Sequence, residues 1–583
     1  MAIEIIMPKN GMDMKEGVLN RWLVKIGDTV EKGDPIMEIE TDKVTMESEA
    51  PASGTILALY YDEGTTIPVL KTMGFIGKDG EAVPDAAPDA EAEEVPSEPA
   101  VSSVLMQDVP AEAAPVAQAT EPQVQYDFDV AVVGGGPAGY VAAIKAAQLG
   151  GKVVLFEKDI VGGTCLNRGC IPTKTYVKTA EYIEHIKRAS DRGIINDPTT
   201  SVDMPRVVAY KNSVVATLTG GVAGLLKSNG VTSIKGLAAA KSAHEVECEG
   251  NVYSANKIIL CGGSKPALAP IPGIDHKAVL TSDEILDLTI LPREMIILGG
   301  GVIGCEIACA FNGFGTNVTI IEMLPGLVAN MGKKVSETIE KSLTKSGVKV
   351  YTDTKVTKID DDGGRPLVCC DSMELKADLV LAATGRMADL TCLGALAGNI
   401  ATEKGKVLVN DKMETSIEGV YAAGDLTGGL MLAHTAFRMA EIAAENAMGG
   451  DAICNLNVVP AGLYTMPEAA SVGLDEEAAR EKVGEKLRIG YFPMAANGRS
   501  LASGEFAGFV QVMVDSEYGE ILGVRIVGTD AVEMIAEPAA LMSIEATVDE
   551  VVDGIVHAHP TYSEAFMEAC ADALGRCIHL PKK

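Results

Sequence analysis

Two glycine-rich turns constrain this chain more than any other feature of its sequence. The first contains Gly134, Gly136 and Gly139 in GGGPAG, and Glu157 ends the next apolar run 18 residues after Gly139. In a G-x-G-x-x-G turn between strand and helix, the first glycine makes the turn and the second lets the backbone approach a pyrophosphate. The third allows close helix packing, and the helix N-terminus faces the phosphates. The context predicts a dinucleotide-binding βαβ unit.

The same pattern occurs a second time. Gly299, Gly301 and Gly304 stand in GGGVIG, and Glu322 ends NVTIIE 18 residues after Gly304. Glycine-rich turns that serve only packing seldom recur with the acid at the same spacing, so the chain is expected to bind two dinucleotides. Glu322 is suited to the ribose hydroxyls of NAD, whereas NADP would need a nearby arginine, and Met-Leu follows instead.

A cysteine pair lies between Glu157 and the following helix, in GGTCLNRGCIPTK. Cys165 and Cys170 are five residues apart, which on a regular helix places them on opposed faces, too far apart for a disulfide. A bridge therefore requires irregular backbone, which Asn167 and Gly169 permit. Pro172 suits a first helical turn, which would place Cys170 near a helix N-terminus that stabilises a thiolate. We predict a redox-active dithiol; a metal site is not expected, because a second ligand pair is missing.

The segment HAHPTYSE near the C-terminus carries two of the seven histidines. A His-x4-Glu spacing such as His559 and Glu564 is, taken alone, most often structural. Beside a dithiol site the pair is also suited to act as a base held by a carboxylate. A thiol substrate must lose a proton before it attacks a disulfide.

The 583 residues are too many for one core and divide by pattern. Residues 1–78 show short strands at 3–7, 17–22, 36–40, 44–49 and 54–59, typical of an all-β domain. Residues 79–125 contain seven prolines and no Lys or Arg, as in a flexible linker. The rest predicts an α/β body with two Rossmann-like domains and a C-terminal α+β domain, which includes a helix over 534–545. The expected boundaries are 126–275 and 395–457 for the first dinucleotide domain, 276–394 for the second and 458–583 for the last.

The charge excludes two classes of partner. The net charge is −32, and residues 1–124 hold 24 acidic against 8 basic side chains. Such a surface repels phosphate backbones and anionic headgroups, so neither nucleic acid nor a membrane is expected as a partner. The start lacks a basic and apolar leader, and the cysteines lack the density of a disulfide framework, so we expect a cytoplasmic protein.

In the N-terminal domain, Lys43 stands in the turn ETDKV between two predicted strands. An exposed lysine in a turn is usually only solvated. A lysine at a hairpin tip on a tethered domain also has the geometry wanted for covalent modification.

These motifs resemble known families. From about Asp127 onward GGGPAG, GGTCLNRGCIPTK, GGGVIG, ATGR, VYAAGDLTGG and HAHPTYSE resemble the pyridine nucleotide-disulfide oxidoreductases, and CLNRGCIPTK with HAHPTYSE looks like their dihydrolipoyl dehydrogenase branch. Residues 1–78 resemble a lipoyl domain, a flattened barrel or sandwich, with Lys43 at the lipoylation turn. Biotin carriers typically show Met-Lys-Met there.

The resemblance implies FAD, NAD and a covalent lipoyl group on Lys43 as cofactors. It implies Cys165 as the interchange thiol, Cys170 as the charge-transfer thiol, and Lys174 with Glu306 as an ion pair beside the flavin. Asp425 and its neighbour Gly424 would hold FAD, and Gly385 of ATGR would belong to the cofactor sites. His559 would be the base and Glu564 its orienting carboxylate, both supplied by the other subunit of a homodimer.

The implied partners are dihydrolipoamide on lipoyl domains, the dihydrolipoamide acyltransferase, and other subunits of a 2-oxoacid or acetoin dehydrogenase complex. The sequence does not say which complex. A glutathione-type reductase commonly uses NADPH, and a mercuric reductase carries an early C-x-x-C and paired C-terminal cysteines that this chain lacks. A pure carrier subunit would not need the dithiol and His559, and the acyltransferase motif H-x-x-x-D-G is absent.

The chain departs from the family pattern at three places. Met387-Ala388-Asp389 follows ATGR in place of Arg-Pro-Asn, Val44 replaces the common alanine after the lipoyl lysine, and residues 437–440 lack the acidic-Gly pattern after AHTA. The third is expected to change the surroundings of the flavin.

Overall fold

A computed structural model describes residues 2–8, 16–40, 45–69, 71–78, 81, 83–84, 125–195 and 200–582. The chain divides into two compact units, residues 1–119 and 120–583. Lys43, Val44 and nearly all of the predicted linker lie outside the described residues. Within the described residues, no helix combines the length and the apolar character needed to cross a membrane.

The first unit is all-β, as its alternating pattern predicts. Its strands are β1 (Ile3–Ile6), β2 (Glu16–Trp22), β3 (Thr29–Val30), β4 (Pro35–Glu40), β5 (Thr45–Glu49), β6 (Gly54–Leu59), β7 (Thr66–Pro68) and β8 (Thr72–Gly77). They form two four-stranded sheets in the orders β1-β8-β6-β3 and β5-β4-β2-β7. Apolar residues such as Leu19, Ile36 and Ile67 are buried between the sheets, which makes this unit a small sandwich.

The second unit begins with a parallel α/β fold. Its elements are β9 (Phe128–Val133), α1 (Pro137–Gln148), β10 (Val153–Glu157), α2 (Gly163–Arg168), α3 (Cys170–Arg188), α4 (Met204–Ser228), β11 (Thr232–Lys235), β12 (Ala238–Ser242), β13 (Glu245–Cys248), β14 (Asn251–Leu260) and β15 (Ser264–Pro266). Strands β11, β10, β9 and β14 pair in parallel. Residues of β9 point alternately into two hydrophobic clusters, so both faces of the sheet are covered.

A second parallel sheet follows, in the order β16-β23-β17-β18-β19. The elements are β16 (Val279–Leu280), β17 (Glu294–Leu298), α5 (Val302–Phe314), β18 (Asn317–Ile321), α6 (Lys333–Lys345), β19 (Lys349–Tyr351), β20 (Val356–Asp362), β21 (Arg365–Cys370), β22 (Glu374–Lys376), β23 (Leu379–Ala382) and β24 (Arg386–Ala388). The chain then returns to the first fold through β25 (Thr402–Glu403), β26 (Lys406–Val407), β27 (Val420–Ala422) and α7 (Ala433–Ala447). Strand β27 extends the first sheet beside β14.

The C-terminal part is an antiparallel sheet, β28-β29-β32-β31-β30, with helices on it. Its elements are β28 (Ala461–Leu463), β29 (Glu468–Gly473), α8 (Glu476–Val483), β30 (Leu487–Pro493), α9 (Gly498–Ser503), β31 (Phe509–Asp515), β32 (Ile521–Gly528), α10 (Ala531–Met534), α11 (Ala536–Ser543), α12 (Val548–Gly554) and α13 (Glu564–Ala573). The α+β expectation is confirmed.

The predicted helix over 534–545 is wrong in its extent. The structure has two helices here, α10 ending at Met534 and α11 covering Ala536–Ser543. Pro538, in the first turn of α11, has no N–H to donate to the Met534 carbonyl, and α10 ends at that residue.

Helix α13 packs against β30 at a glycine. A Cβ added to Gly490 would lie 1.8 Å from the carbonyl oxygen of Ala569, which is backbone of α13. We expect Gly490→Ala to displace α13 and to lower the free energy of unfolding by about 1–3 kcal/mol or more. Chemical denaturation would measure this, with Gly554→Ala as control because a Cβ there meets nothing within 4 Å. Equal midpoints for the two variants would contradict this packing.

Candidate active site

The first and third glycines of each turn are required by the protein itself. Gly134 has φ +103°, and a Cβ on it would lie 2.2 Å from the Cys261 carbonyl oxygen. A Cβ on Gly139 would lie 1.7 Å from the Gly134 carbonyl oxygen. In the second turn the corresponding distances are 2.4 Å at Gly299 and 2.1 Å at Gly304. These positions make the turn and seat the helix, as their spacing predicts.

No steric clash within the protein requires glycine at the middle position of either turn. Gly136 and Gly301 have ordinary φ values of −71° and −74°. A Cβ on Gly136 would meet only the Gly163 Cα, at 3.7 Å, and one on Gly301 would meet nothing within 4 Å. Each lies at a helix N-terminus, where a residue without a side chain lets a pyrophosphate approach the backbone. The two turns therefore fit FAD and NAD, which the family resemblance implies.

The two acids support their turns in the same way. The Glu157 carboxylate accepts hydrogen bonds from the Gly135 N–H at 2.7 Å and the Asp159 N–H at 2.8 Å. The Glu322 carboxylate accepts from the Gly300 N–H at 2.5 Å and the Leu324 N–H at 2.7 Å. A carboxylate oxygen can accept more than one hydrogen bond, so ribose hydroxyls can still be received.

The two cysteines lie on either side of a helix break. Cys165 belongs to α2, Cys170 is the first residue of α3, and Gly169 between them has φ −134° and ψ −109°. The prediction of irregular backbone at this point is confirmed, and so is the position of Cys170 at a helix start. Both cysteines are free thiols in this structure.

The start of α2, the helix that carries Cys165, adjoins the first glycine-rich turn. The Gly162 N–H donates to the Gly135 carbonyl at 2.8 Å, and a Cβ on Gly163 would lie 2.6 Å from the Gly136 Cα. This backbone contact requires glycine at position 163, whereas a Cβ on Gly136 would make only an ordinary contact. It brings the dithiol beside the first dinucleotide turn.

The two thiols differ in acidity. The hydrogen bond with Cys165 is the largest influence on Cys170 and lowers its pKa to about 7; burial opposes this and the Lys174 charge adds to it. The same hydrogen bond, followed by burial, raises the pKa of Cys165. A proton shared by the pair therefore stays on Cys165 and the negative charge on Cys170.

Lys174 follows Cys170 by one helical turn and meets Glu306 of α5. Its Nζ lies 3.0 and 2.8 Å from the two carboxylate oxygens of Glu306, whose side chain is only 3% exposed. The Tyr464 N–H donates to the same carboxylate at 3.0 Å, and the Tyr464 ring lies 4.5 Å from Nζ. A buried carboxylate held in this way fixes the lysine charge beside the thiols.

Asp425 lies in a second polar group near the dithiol. Its carboxylate accepts from the Ser264 hydroxyl at 2.5 Å, and the Arg386 Nε donates to that hydroxyl at 2.8 Å. A guanidinium nitrogen of Arg386 also lies 3.5 Å from the Thr164 hydroxyl, next to Cys165. Gly424 precedes Asp425 with φ +75°, and Gly385 precedes Arg386 with φ +115°.

The predicted acid–base pair lies in the C-terminal part. His559 Nδ1 and a Glu564 oxygen are 2.8 Å apart, and the other oxygen of Glu564 accepts from the Thr561 N–H at 2.7 Å. The His559 side chain is 77% exposed. Within the described residues of one chain, no hydrogen bond or ion pair joins His559 to Cys165 or Cys170.

The comparisons with known proteins agree with this arrangement. The family model "Pyridine nucleotide-disulphide oxidoreductase" matches residues 128–440, and its dimerisation domain matches residues 459–570. The chain belongs to this family. It is an FAD-dependent oxidoreductase, and the model "Biotin-requiring enzyme" matches residues 3–74 of its N-terminal lipoyl domain.

Individual relatives of the chain agree with this family assignment. Dihydrolipoyl dehydrogenase of Bacillus subtilis is 37% identical over 77% of this chain and 99% of its own length. That of Thermus scotoductus is 39% identical over 78% of this chain and 99% of its own. Among solved structures, LpdA from Mycobacterium tuberculosis superposes with TM-score 0.71 at 25% identity, covering 76% of this chain and 99% of that one. The HOCl-induced flavoprotein disulfide reductase RclA from Escherichia coli gives 0.69 at 28%, covering 76% and 99%.

Sequence reasoning missed three residues of the site. Tyr464 binds Glu306 through its backbone, which no side-chain pattern reveals. Ser264 and Arg386 support Asp425. The one signal in the sequence for Arg386 was that it is the charged residue of the ATGR segment.

Two of the departures from the family pattern have contacts in the structure. Asp389 pairs with Lys158 at 3.7 Å, and the Phe437 ring lies 6.1 Å from that of Tyr140.

The glycine geometry predicts two different phenotypes within one turn. Gly139→Ala should destabilise the fold by about 1–3 kcal/mol or more, because its Cβ collides with backbone. Gly136→Ala should fold normally but bind FAD about tenfold more weakly or worse, because its Cβ occupies only the open space. Thermal unfolding and the FAD content after purification would check this; normal FAD content in folded Gly136→Ala would contradict it.

The thiol pair predicts a titration shift. Cys165→Ala should raise the pKa of Cys170 above about 7, since the largest cause of its lowering is lost. Cys165→Ser retains a hydroxyl donor and should keep the value lower than the alanine variant does. Below its pKa the thiol is protonated, so alkylation of Cys170 by iodoacetamide, located by peptide mass spectrometry, should begin at higher pH in the alanine variant. Identical profiles would contradict the assignment.

Proposed function

We propose that this enzyme reoxidises protein-bound dihydrolipoamide with NAD⁺ as the flavoprotein component of a 2-oxoacid or acetoin dehydrogenase complex. The observation that carries the proposal is the dithiol held by backbone contact beside the first dinucleotide turn, in a chain whose relatives are named dihydrolipoyl dehydrogenase. Residues 126–275 and 395–457 form the FAD domain, 276–394 the NAD domain and 458–583 the interface domain.

The first half of the cycle is thiol–disulfide exchange. His559 accepts a proton from one thiol of dihydrolipoamide, and the resulting thiolate attacks Cys165 of the oxidised Cys165–Cys170 disulfide. The disulfide breaks, and Cys170 leaves as a thiolate. The second substrate thiol then displaces Cys165 from the mixed disulfide, and its proton passes to the departing Cys165 sulfur. The lipoamide ring closes, which leaves a Cys165 thiol and a Cys170 thiolate. The substrate loses two electrons and two protons.

The difference in acidity between the cysteines suits these roles. Cys170 is the better leaving group because its thiolate is the more stable one. Lys174, held by Glu306, keeps a positive charge beside that thiolate. Glu564 keeps the His559 ring oriented, with Nε2 directed away from the carboxylate to receive the proton.

The cofactors would be held by the groups described above. Gly134, Gly136, Gly139, Glu157, Lys174, Gly424 and Asp425 would hold FAD, and Gly299, Gly301, Gly304, Glu322 and Gly385 would hold NAD. Bound FAD would take two electrons from the reduced cysteines and pass them to NAD⁺ as hydride.

The homodimer completes the site in this proposal. The dimerisation domain carries His559, and we assign this histidine to the dithiol of the other subunit. Acyltransferase and further subunits of the parent complex are the proposed partners. A cytoplasmic location belongs to the same proposal, because twelve cysteines in 583 residues lack the density of a disulfide framework.

The decisive assay is NAD⁺-linked oxidation of dihydrolipoamide by the purified FAD-containing protein. We expect activity in the wild type, and a folded, yellow Cys170→Ser variant in which it falls by at least about a thousandfold. NADPH with oxidised glutathione serves as the rival substrate pair. Preference for that pair, or loss of FAD from Cys170→Ser, would contradict the proposed function or the split of roles.

We propose that Lys43 carries a lipoyl group and that the linker of about 47 residues tethers it, reaching about 35–40 Å as a flexible coil. Lys43→Arg should leave oxidation of free dihydrolipoamide unchanged and slow transfer in the reconstituted complex several-fold, because a tether raises the effective concentration toward mM. Lys78→Arg is the matched control in the same domain. Equal flux in wild type and Lys43→Arg, with intact mass confirming lipoylated wild type, would overturn the relay.

A further inference from the structure

A buried asparagine holds the segment that carries the proposed base. Asn497 immediately precedes α9 and is only 4% exposed. Its Oδ1 accepts hydrogen bonds from the Ser500 N–H at 2.9 Å and from the Ser500 hydroxyl at 3.2 Å, so it caps the N-terminus of α9. Its Nδ2 donates to the Thr561 carbonyl at 2.9 Å. This contact lies two residues after His559.

The cap fixes the direction in which the amide of Asn497 points. A backbone N–H can only donate and a carbonyl oxygen can only accept, so the amide oxygen must face Ser500 and the amide nitrogen must face Thr561. Serine, threonine or aspartate would cap a helix equally well, because capping uses only a side-chain oxygen. The buried donor to Thr561 is what the asparagine adds to the cap.

Thr561 connects this donor to the acid–base pair. Its N–H donates to one carboxylate oxygen of Glu564 at 2.7 Å, and the other Glu564 oxygen lies 2.8 Å from His559 Nδ1. The N–H and the carbonyl of Thr561 belong to the two planar peptide groups that flank its Cα, so holding the carbonyl restricts where the N–H can point. A continuous series of hydrogen bonds therefore runs from Asn497 to the His559 ring.

Two other bonds hold the segment at points outside this series. The Tyr562 hydroxyl donates to the Ser503 hydroxyl at 2.8 Å, at the other end of α9. On the other side of the base, His557 Nε2 and a Glu537 oxygen of α11 are 2.7 Å apart. Neither of these two bonds includes an atom of the acid–base pair. They anchor the chain, whereas Asn497 is joined to the pair through a single residue.

We propose that Asn497 is a positioning residue for the base. Through Thr561 it holds Glu564 in the place from which that carboxylate orients the His559 ring. The proposal rests on the proposed function. The His559 side chain is largely exposed, so its orientation depends on the hydrogen bond with Glu564 rather than on packing within its own chain. A base must lie within hydrogen-bond reach of the substrate thiol, and a displacement of about 1 Å can cost on the order of a hundredfold in rate.

The test separates the cap from the donor. Asn497→Asp keeps an oxygen that caps α9 and removes the N–H donor to the Thr561 carbonyl. We expect kcat/KM for oxidation of dihydrolipoamide to fall about ten- to a hundredfold. Reduction of ferricyanide by NADH needs no base for a thiol and should stay within about twofold of wild type. Asn497→Ser also caps without donating to Thr561 and adds no charge, so it carries the test if the aspartate variant does not fold.

Tyr562→Phe is the matched control. It removes the other hydrogen bond between α9 and this segment and leaves Thr561 and Glu564 unchanged. We expect a smaller loss of kcat/KM for dihydrolipoamide than in Asn497→Asp. An equal or larger loss would mean that α9 only anchors the segment, and the specific role of Asn497 would be overturned.

A double-mutant cycle with the base shows whether Asn497 acts through it. In a His559→Gln background, Asn497→Asp should lower the remaining kcat/KM by less than about twofold, because the base that it positions is already absent. The same loss in both backgrounds, parallel losses in the dihydrolipoamide and ferricyanide assays, or no loss in folded variants would overturn the positioning role. Wild-type protein that does not oxidise dihydrolipoamide would instead overturn the proposed function.

Discussion

The rest of the site depends on one contact between two stretches of backbone. The start of α2 lies directly against the first glycine-rich turn. The Gly162 N–H donates a hydrogen bond to the Gly135 carbonyl. Gly163 lies so close to Gly136 that no side chain fits on Gly163. Side chains can repack, but two backbone segments in direct contact have little freedom to shift relative to each other. The fold itself therefore places the thiols beside the first glycine-rich turn.

Electrostatics then distinguish two chemically identical thiols. Cys170 begins a helix, lies one turn from Lys174 and receives the hydrogen bond of Cys165, so negative charge collects on it. Lys174 owes its position to Glu306 from the second dinucleotide domain and to the Tyr464 N–H from the C-terminal domain. Three parts of the fold thus meet at one ion pair.

The proposed acid–base pair is built separately. His559 and Glu564 stand on a segment whose ends are held by α13 and, through Glu537, by α11. Helix α13 is in turn seated on β30 at Gly490. Separation of the base from the dithiol within one chain agrees with a family whose members dimerise, because a second subunit can bring the two halves together.

The sequence alone determined the two glycine-rich turns, the backbone break between the two cysteines and the helix start at Cys170. These features are local, since each depends on residue types within about 20 positions, and glycine, proline and cysteine have strong local effects on backbone and chemistry. The tertiary structure decided what depends on distant parts of the chain. It decided that the first turn adjoins the dithiol, that Tyr464 and Ser264 support the charged residues, and that His557 pairs with Glu537. The helix predicted over 534–545 covers Ala536–Ser543 and is two residues shorter at each end. A backbone N–H or a buried carboxylate becomes a partner only when folding brings it within 3 Å, and no spacing along the chain encodes that approach.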